Sequence, residues 1–176
     1  AVLPWEVRDD LGWWRRLLAR WPGTSIIRSL ASDEVMVESD ACTEGFGFVC
    51  GGDWSHGPWS PEEWAQAFPE GVQAVSMPTL ELAAVVRAAL ALGPRWRGKV
   101  VRFRCDCEPV VAAVNELRSS SRPMQALLRQ LALLAVRHDF YFRASHLPGE
   151  ENSLADALSR SQLDRFREEV RKRGLS

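Results

Sequence analysis

The sequence predicts an α/β domain built on one mixed five-stranded sheet, with three antiparallel meander strands, two parallel strands and helices on both faces. Three observations predict it. Alternating and β-branched runs crowd residues 34–59, with Gly51-Gly52-Asp53 as a hairpin turn between two of them. Later strands alternate with helices, and each strand–helix–strand step needs a crossover that brings the next strand back parallel. One helix, over 79–92, is apolar nearly all round, as expected of a helix buried against a sheet.

The bulk properties agree. At 176 residues the chain suits one domain, and 46% hydrophobic content supports a packed core rather than disorder. A formal net charge of -1 excludes a globally basic nucleic-acid binder, so any such surface is local. The acid-free run Arg95, Arg97, Lys99, Arg102, Arg104 and the arginine-rich stretch 160–173 are the candidates. The four cysteines (Cys42, Cys50, Cys105, Cys107) show no CxxC or Cys/His zinc spacing. Cys105 and Cys107 are expected to alternate on one strand face as reduced thiols. No run of eighteen apolar residues and no leader pattern is seen, so the expectation is an intracellular protein with no membrane partner, in cytoplasm or nucleus. The chain does not start with Met, as expected of a domain cut from something longer.

Taken in order, Leu11, Trp14, Leu17, Leu18 and Trp21 form a helical stripe that Pro22-Gly23 ends. The reading is a helix packed on the domain, with an aromatic nucleic-acid platform as the alternative. Ser25-Ile26-Ile27 reads as a short extended piece. Strands follow over 34–40, 45–50 and 54–59. Ser60-Pro61-Glu62-Glu63-Trp64 reads as a helix start with Pro at the first helical position, and 72–76 as a further short strand. Pro78 opens the apolar helix and Gly93-Pro94 stops it. The next strand covers 99–105 and the next helix 108–117. A polar break, Arg118 to Pro123, precedes a helix over 123–137. The last strand spans 139–144. The last helix starts at Asn152 or Ser153, both good N-caps, and runs to about Lys172.

Four carboxylates share a placement. Asp40 and Asp106 fall at the ends of strands expected to be parallel, where sites form in open α/β sheets. Glu81 and Asp156 are each expected in the first turn of a helix that is otherwise apolar nearby. Ionised groups are rarely buried alone, and four that converge need cations to offset their repulsion. Each has a plainer alternative. Glu81 can complement a helix dipole. Ser153 and Asp156 can form a capping box. Either strand-end Asp can be a turn residue, and His146 can be an ordinary loop or core histidine.

The set resembles the ribonuclease H domain of reverse transcriptases over most of the chain. Ser39-Asp40-Ala41 resembles that family's first-strand Asp motif, Thr79-Leu80-Glu81-Leu82 its helix-borne Glu, and Cys105-Asp106 its second Asp. His146-Leu147-Pro148-Gly149, then Asn152-Ser153-Leu154-Ala155-Asp156-Ala157-Leu158-Ser159-Arg160, is close to the retroelement pattern HxPGxxNxxADxLSR. Leu11-Gly12-Trp13-Trp14, Trp21-Pro22-Gly23 and Gly57-Pro58-Trp59-Ser60-Pro61-Glu62-Glu63 resemble DIRS-type (tyrosine-recombinase) retroelements. On that basis residues 1–32 are expected to be a helical linker from a polymerase and 33–176 the ribonuclease H-like domain.

The resemblance implies hydrolysis of the RNA strand of RNA–DNA hybrids, with two Mg²⁺ ions (or Mn²⁺) held by Asp40, Glu81, Asp106 and Asp156. It implies that His146 assists proton transfer or product release. It implies a hybrid substrate and a polymerase domain in the same polypeptide as partners. Arg118, Ser119, Arg122 and Asn152 are the expected substrate contacts. Two departures stand out: Cys107 replaces the family's usual Asn, and the break between the middle helices carries no basic extra helix. A catalytically weak tether of a larger polymerase is the alternative, as is another nuclease of the same superfold, although the latter lacks the HxPG…AD stretch.

Overall fold

The computed structural model describes residues 3–19, 34–60 and 75–174. Five strands form one sheet in the order β3-β2-β1-β4-β5, where β1 is Glu34–Ala41, β2 Gly45–Cys50, β3 Asp53–Pro58, β4 Val100–Cys105 and β5 Tyr141–His146. The first three run antiparallel as a meander, and β4 and β5 run parallel to β1. Gly51-Gly52 is the two-residue turn between β2 and β3, and Gly51 adopts φ 59, which glycine takes without strain.

The helices are α1 (Trp5–Leu18), α2 (Met77–Leu92), α3 (Glu108–Glu116), α4 (Arg122–His138), α5 (Ser153–Ser159) and α6 (Leu163–Lys172). Strand alternation sorts the core into two layers. Val37, Phe48, Val101 and Phe103 point to the face covered by α2, α3 and α4, where Leu82, Val85, Val110 and Leu131 meet them. Val49 points the other way, onto Leu154, Leu158 and Phe166 of α5 and α6. The stretch Met77–Arg95 is long and apolar enough to cross a bilayer by length and composition, but 67% of its most apolar window is buried inside the fold. Its apolarity is that of a core helix.

Several sequence expectations are corrected. The last helix is two: α5 ends at Ser159, and Ser161 takes φ 55 before α6 begins. A left-handed residue cannot continue a right-handed helix. Cys107 is not on the strand with Cys105 but precedes α3 as its N-cap. Residues 75–76 are not strand, and 72–74 lie outside the described residues, as do Ser25-Ile26-Ile27, Trp21-Pro22-Gly23 and the helix start after Ser60. The helical stripe of α1 is real, yet Leu11, Trp14 and Leu18 are exposed and only Leu17 is buried. What ties α1 down is largely polar: Trp13 Nε1 donates to Arg129 O at 3.3 Å, and Arg129 pairs with Asp10.

The expected basic patch is largely neutralised. On the open side of the sheet, Glu34 of β1 accepts from Arg102 (3.0 Å) and Arg143 (2.7 Å), and Glu38 pairs with Arg104 and Arg173, each at 3.3 Å. Arg95 pairs with Asp53 and Arg97 with Asp139. Parallel pairing of β1 with β4 sets opposite charges side by side, so the arginines read as a cluster in sequence and as a ladder in space.

Two glycines let α5 sit directly on β2. A Cβ on Gly47 would lie 2.5 Å from Leu158 Cβ and 2.6 Å from Ser159 N; one on Gly45 would lie 3.2 Å from Ser159 O and 2.4 Å from Gly57 O of β3. Gly47→Ala is therefore expected to cost about 1–3 kcal/mol by forced displacement of α5, seen as a lower urea midpoint at unchanged m-value. An unchanged midpoint would show that α5 has room to spare.

Candidate metal centre

Because β1 and β4 are parallel neighbours, their carboxyl ends emerge at one edge of the sheet. Asp40 is the penultimate residue of β1, and Asp106 follows the last residue of β4. Glu81 reaches the same edge from α2, which crosses that face. One carboxylate oxygen each from Asp40, Glu81 and Asp106 lies within 4.8 Å of the other two. Asp40 and Glu81 are buried, whereas Asp106 opens to solvent.

Each buried acid is held by neighbours. Glu81 Oε1 accepts from Ala41 N at 3.2 Å, while Oε2 is buried with no hydrogen-bond partner. Glu81 lies beyond the first turn of α2, so complementing the helix dipole does not explain it. Asp40 Oδ2 accepts from the Ser159 hydroxyl, and Oδ1 from Asn152 Nδ2 at 3.4 Å. Asn152 Nδ2 also donates to Ser39 O at 3.1 Å. Asn152 is fully buried. The expected substrate contact is thus corrected: this side chain has no surface to offer a substrate, and it braces Asp40 instead.

Asp156 stands next to the cluster rather than inside it. Arg160 Nε donates to its Oδ1 at 2.7 Å and Arg165 Nη1 to its Oδ2 at 2.6 Å. No capping box forms, because Asn152 is the N-cap and Ser153 Oγ donates to Glu169 Oε2 at 3.0 Å. His146 is the last residue of β5, in register with Cys105, and is exposed; it is on the strand end rather than the loop. The Pro148-Gly149 loop closes over Asp106, since a Cβ on Gly149 would lie 3.3 Å from Asp106 Oδ2.

Arg118, Ser119 and Arg122 lie at the other end of α3, about 13 Å along its axis from the cluster. Ser119 is spent on the turn: its N–H donates to Gln125 Oε1 at 2.8 Å, and its hydroxyl accepts from Ser121 N at 3.1 Å. Arg122 pairs with Asp9 at 3.8 Å. Ser159, Arg160 and Arg165 were not expected at the site. The first two lie in the quoted stretch, and only the helix break brings Arg165 back to it.

The electrostatics fit a cation. Burial first, then the charges of Asp40 and Asp106, push the Glu81 carboxyl up to about 9. Burial likewise pushes Asp40 up to about 6; the Ser159 hydroxyl opposes it and the charges of Asp106 and Asp156 add to it. Asp156 goes the other way. Partial burial would raise it, but hydrogen bonds from Arg160 and Arg165 prevail and hold it below the ordinary carboxylate value. An all-oxygen donor set with one orphaned, buried carboxylate oxygen suits a hard divalent ion such as Mg²⁺. Asp40, Glu81 and Asp106 are the residues that would hold it.

A family model described as reverse transcriptase-like matches residues 77–162, the span holding Glu81, Asp106, His146 and Asp156. No curated protein sequence matches the chain. Among solved structures, ribonuclease H1 from the archaeon Halobacterium salinarum aligns at 19% identity and TM-score 0.54, covering 75% of this chain and 98% of its own. LC11 ribonuclease H1, solved in complex with an RNA/DNA hybrid, aligns at 17% identity and TM-score 0.51, covering 70% and 92%. The N-terminal ribonuclease H domain of a Mycobacterium tuberculosis protein, solved as a maltose-binding-protein fusion, aligns at 16% identity and TM-score 0.51, covering 79% and 99%. The chain therefore has the ribonuclease H-like fold.

A pH dependence follows from Glu81. An unfolded chain loses this proton near 4.5, and the cation-free fold keeps it to about 9. The group favours folding at low pH, and that contribution is lost as pH climbs through this window. In EDTA, Glu81→Gln is expected to raise the melting temperature near about pH 9 and to change it little near about pH 5. Mg²⁺ uptake by the unaltered protein is expected to release protons and to strengthen with pH over the upper part of that window. An affinity that is flat with pH would contradict a protonated Glu81.

Proposed function

We propose that the chain cuts the RNA strand of RNA–DNA hybrids as the ribonuclease H of a reverse-transcribing element. The observation that carries this reading is the meeting of Asp40, Glu81 and Asp106, remote in sequence, at one edge of the sheet. Two further facts support it. The matching family model is reverse transcriptase-like, and a structural neighbour was solved with an RNA/DNA hybrid.

Divalent ions held at such a cluster would supply phosphate polarisation and a more acidic water. The chain's own residues do the rest. Asp40, Glu81, Asp106 and, once freed of its arginines, Asp156 would hold the ions. Asn152 and Ser159 fix the Asp40 carboxylate from both sides, so it arrives at the reaction oriented. His146, exposed at the end of β5, assists proton transfer or product release. Arg118 and Arg122, one helix length away, hold backbone phosphates without reading sequence. Contacts to 2′-hydroxyls distinguish the RNA strand.

Residues 1–32 form, in this reading, the end of a linker from a polymerase in the same polypeptide. The Leu11-Gly12-Trp13-Trp14 stretch and the Gly57-Pro58-Trp59-Ser60 segment favour a DIRS-type origin. A second reading, a hybrid-holding tether that does not cut, is favoured by one observation: arginines occupy both oxygens of Asp156.

The test is cleavage of a labelled hybrid in Mg²⁺, with Asp40→Asn as control. Asp106→Asn is expected to slow cleavage by about a thousandfold or more, with the fold intact, because it removes charge stabilisation worth several kcal/mol. His146→Ala is expected to slow turnover by about a hundredfold while Mg²⁺ binding persists. Cleavage that survives Asp106→Asn, or excess EDTA, would end the two-metal reading.

A further inference from the structure

Asp156 is occupied on both oxygens by side chains that have little else to do. Arg160, just past the end of α5, takes Oδ1; Arg165, on α6, takes Oδ2. Arg167 and Lys172 pair within α6, with Asp164 and with Glu168 and Glu169. Arg165 instead leaves its own helix, steadied by Gln162 Oε1 at 3.0 Å. The bend at Ser161, with φ 55, turns α6 so that this reach is possible. The arginine side chains are 52% and 43% exposed and the aspartate side chain 23%. Asp156 therefore faces solvent beside the cluster of Asp40, Glu81 and Asp106, but is outside it.

We propose that Arg160 and Arg165 form a phosphate-sensitive latch on Asp156. In the free protein the two arginines neutralise Asp156 and keep it from a cation. A nucleic-acid phosphodiester at the site competes for the same two guanidinium forks, which fit phosphate as well as carboxylate. Exposed ion pairs of this kind are weak enough to exchange. Drawn onto the phosphate, the arginines release Asp156, and the second cation position is completed only when substrate is present. This rests on the nuclease reading above. The arginines also offset part of the repulsion that a fourth carboxylate adds beside the three others.

The experiment reads binding rather than activity. Mn²⁺ is titrated calorimetrically into the free protein and into Asp156→Asn, Arg165→Gln and the double variant. Binding of a short RNA–DNA hybrid is measured by anisotropy in EDTA. Asp156→Asn is expected to leave Mn²⁺ affinity within about twofold, Arg165→Gln to tighten it about fivefold, and Asp156→Asn to cancel that gain. Without cations, Asp156→Asn is expected to tighten hybrid binding and Arg165→Gln to weaken it. An Asp156→Asn effect on Mn²⁺ that is equal in both backgrounds, or hybrid binding that ignores both substitutions, would overturn the latch. Asp40→Asn separates the two levels. If it abolishes Mn²⁺ binding while the Asp156 cycle is flat, only the latch falls; if it leaves Mn²⁺ binding intact, the metal reading falls as well.

Discussion

Carboxylates confined to a volume less than 5 Å across repel one another, and burial makes that repulsion harder to screen. The fold tolerates the arrangement in three ways. Glu81 keeps a proton, Asp40 takes hydrogen bonds on both oxygens, and Asp156 is neutralised by two arginines. Asp106 stays in water. None of these satisfies Glu81 Oε2, which remains buried and unpaired. A buried polar atom that the protein itself leaves unpaired is one that a ligand can pair, and a hard cation does so through oxygen donors alone, displacing the Glu81 proton.

The scaffold's contribution is position. Parallel pairing of β1 and β4 brings Asp40 and Asp106 to a common edge, and the apolar helix α2, buried over most of its length, carries Glu81 there. On the opposite face, Gly45 and Gly47 let the α5 backbone rest on β2. That seat brings Ser159 onto Asp40 and the Cys42 thiol onto Ser159 O at 3.1 Å. Stability and site geometry are therefore coupled through one close approach. A side chain at Gly47 would disturb packing and the orientation of Asp40 together.

Much of this was legible in the chain. The strand and helix order followed from period-2 and apolar-helix patterns and from Gly and Pro punctuation, because those features act locally. The four acids were visible because an ionised group in an apolar context is conspicuous. What was not legible depends on contacts across the sheet. Arg102 and Arg104 looked like a phosphate surface until β1 supplied Glu34 and Glu38. Asn152 looked polar and available until the fold enclosed it between Ser39 and Asp40. The break at Ser161 had no glycine or proline to announce it, so Arg165 could not be placed beside Asp156. The pair Gly45 and Gly47, two residues apart on a strand, is a readable sign of close backbone approach.

The central claim is that one sheet edge binds divalent cations through acids from separate elements. Anomalous diffraction from crystals grown with Mn²⁺ measures it most directly. The account predicts an anomalous peak bounded by Asp40, Glu81 and Asp106. Well-ordered carboxylates around no such peak, at a Mn²⁺ concentration that saturates binding in solution, would contradict it.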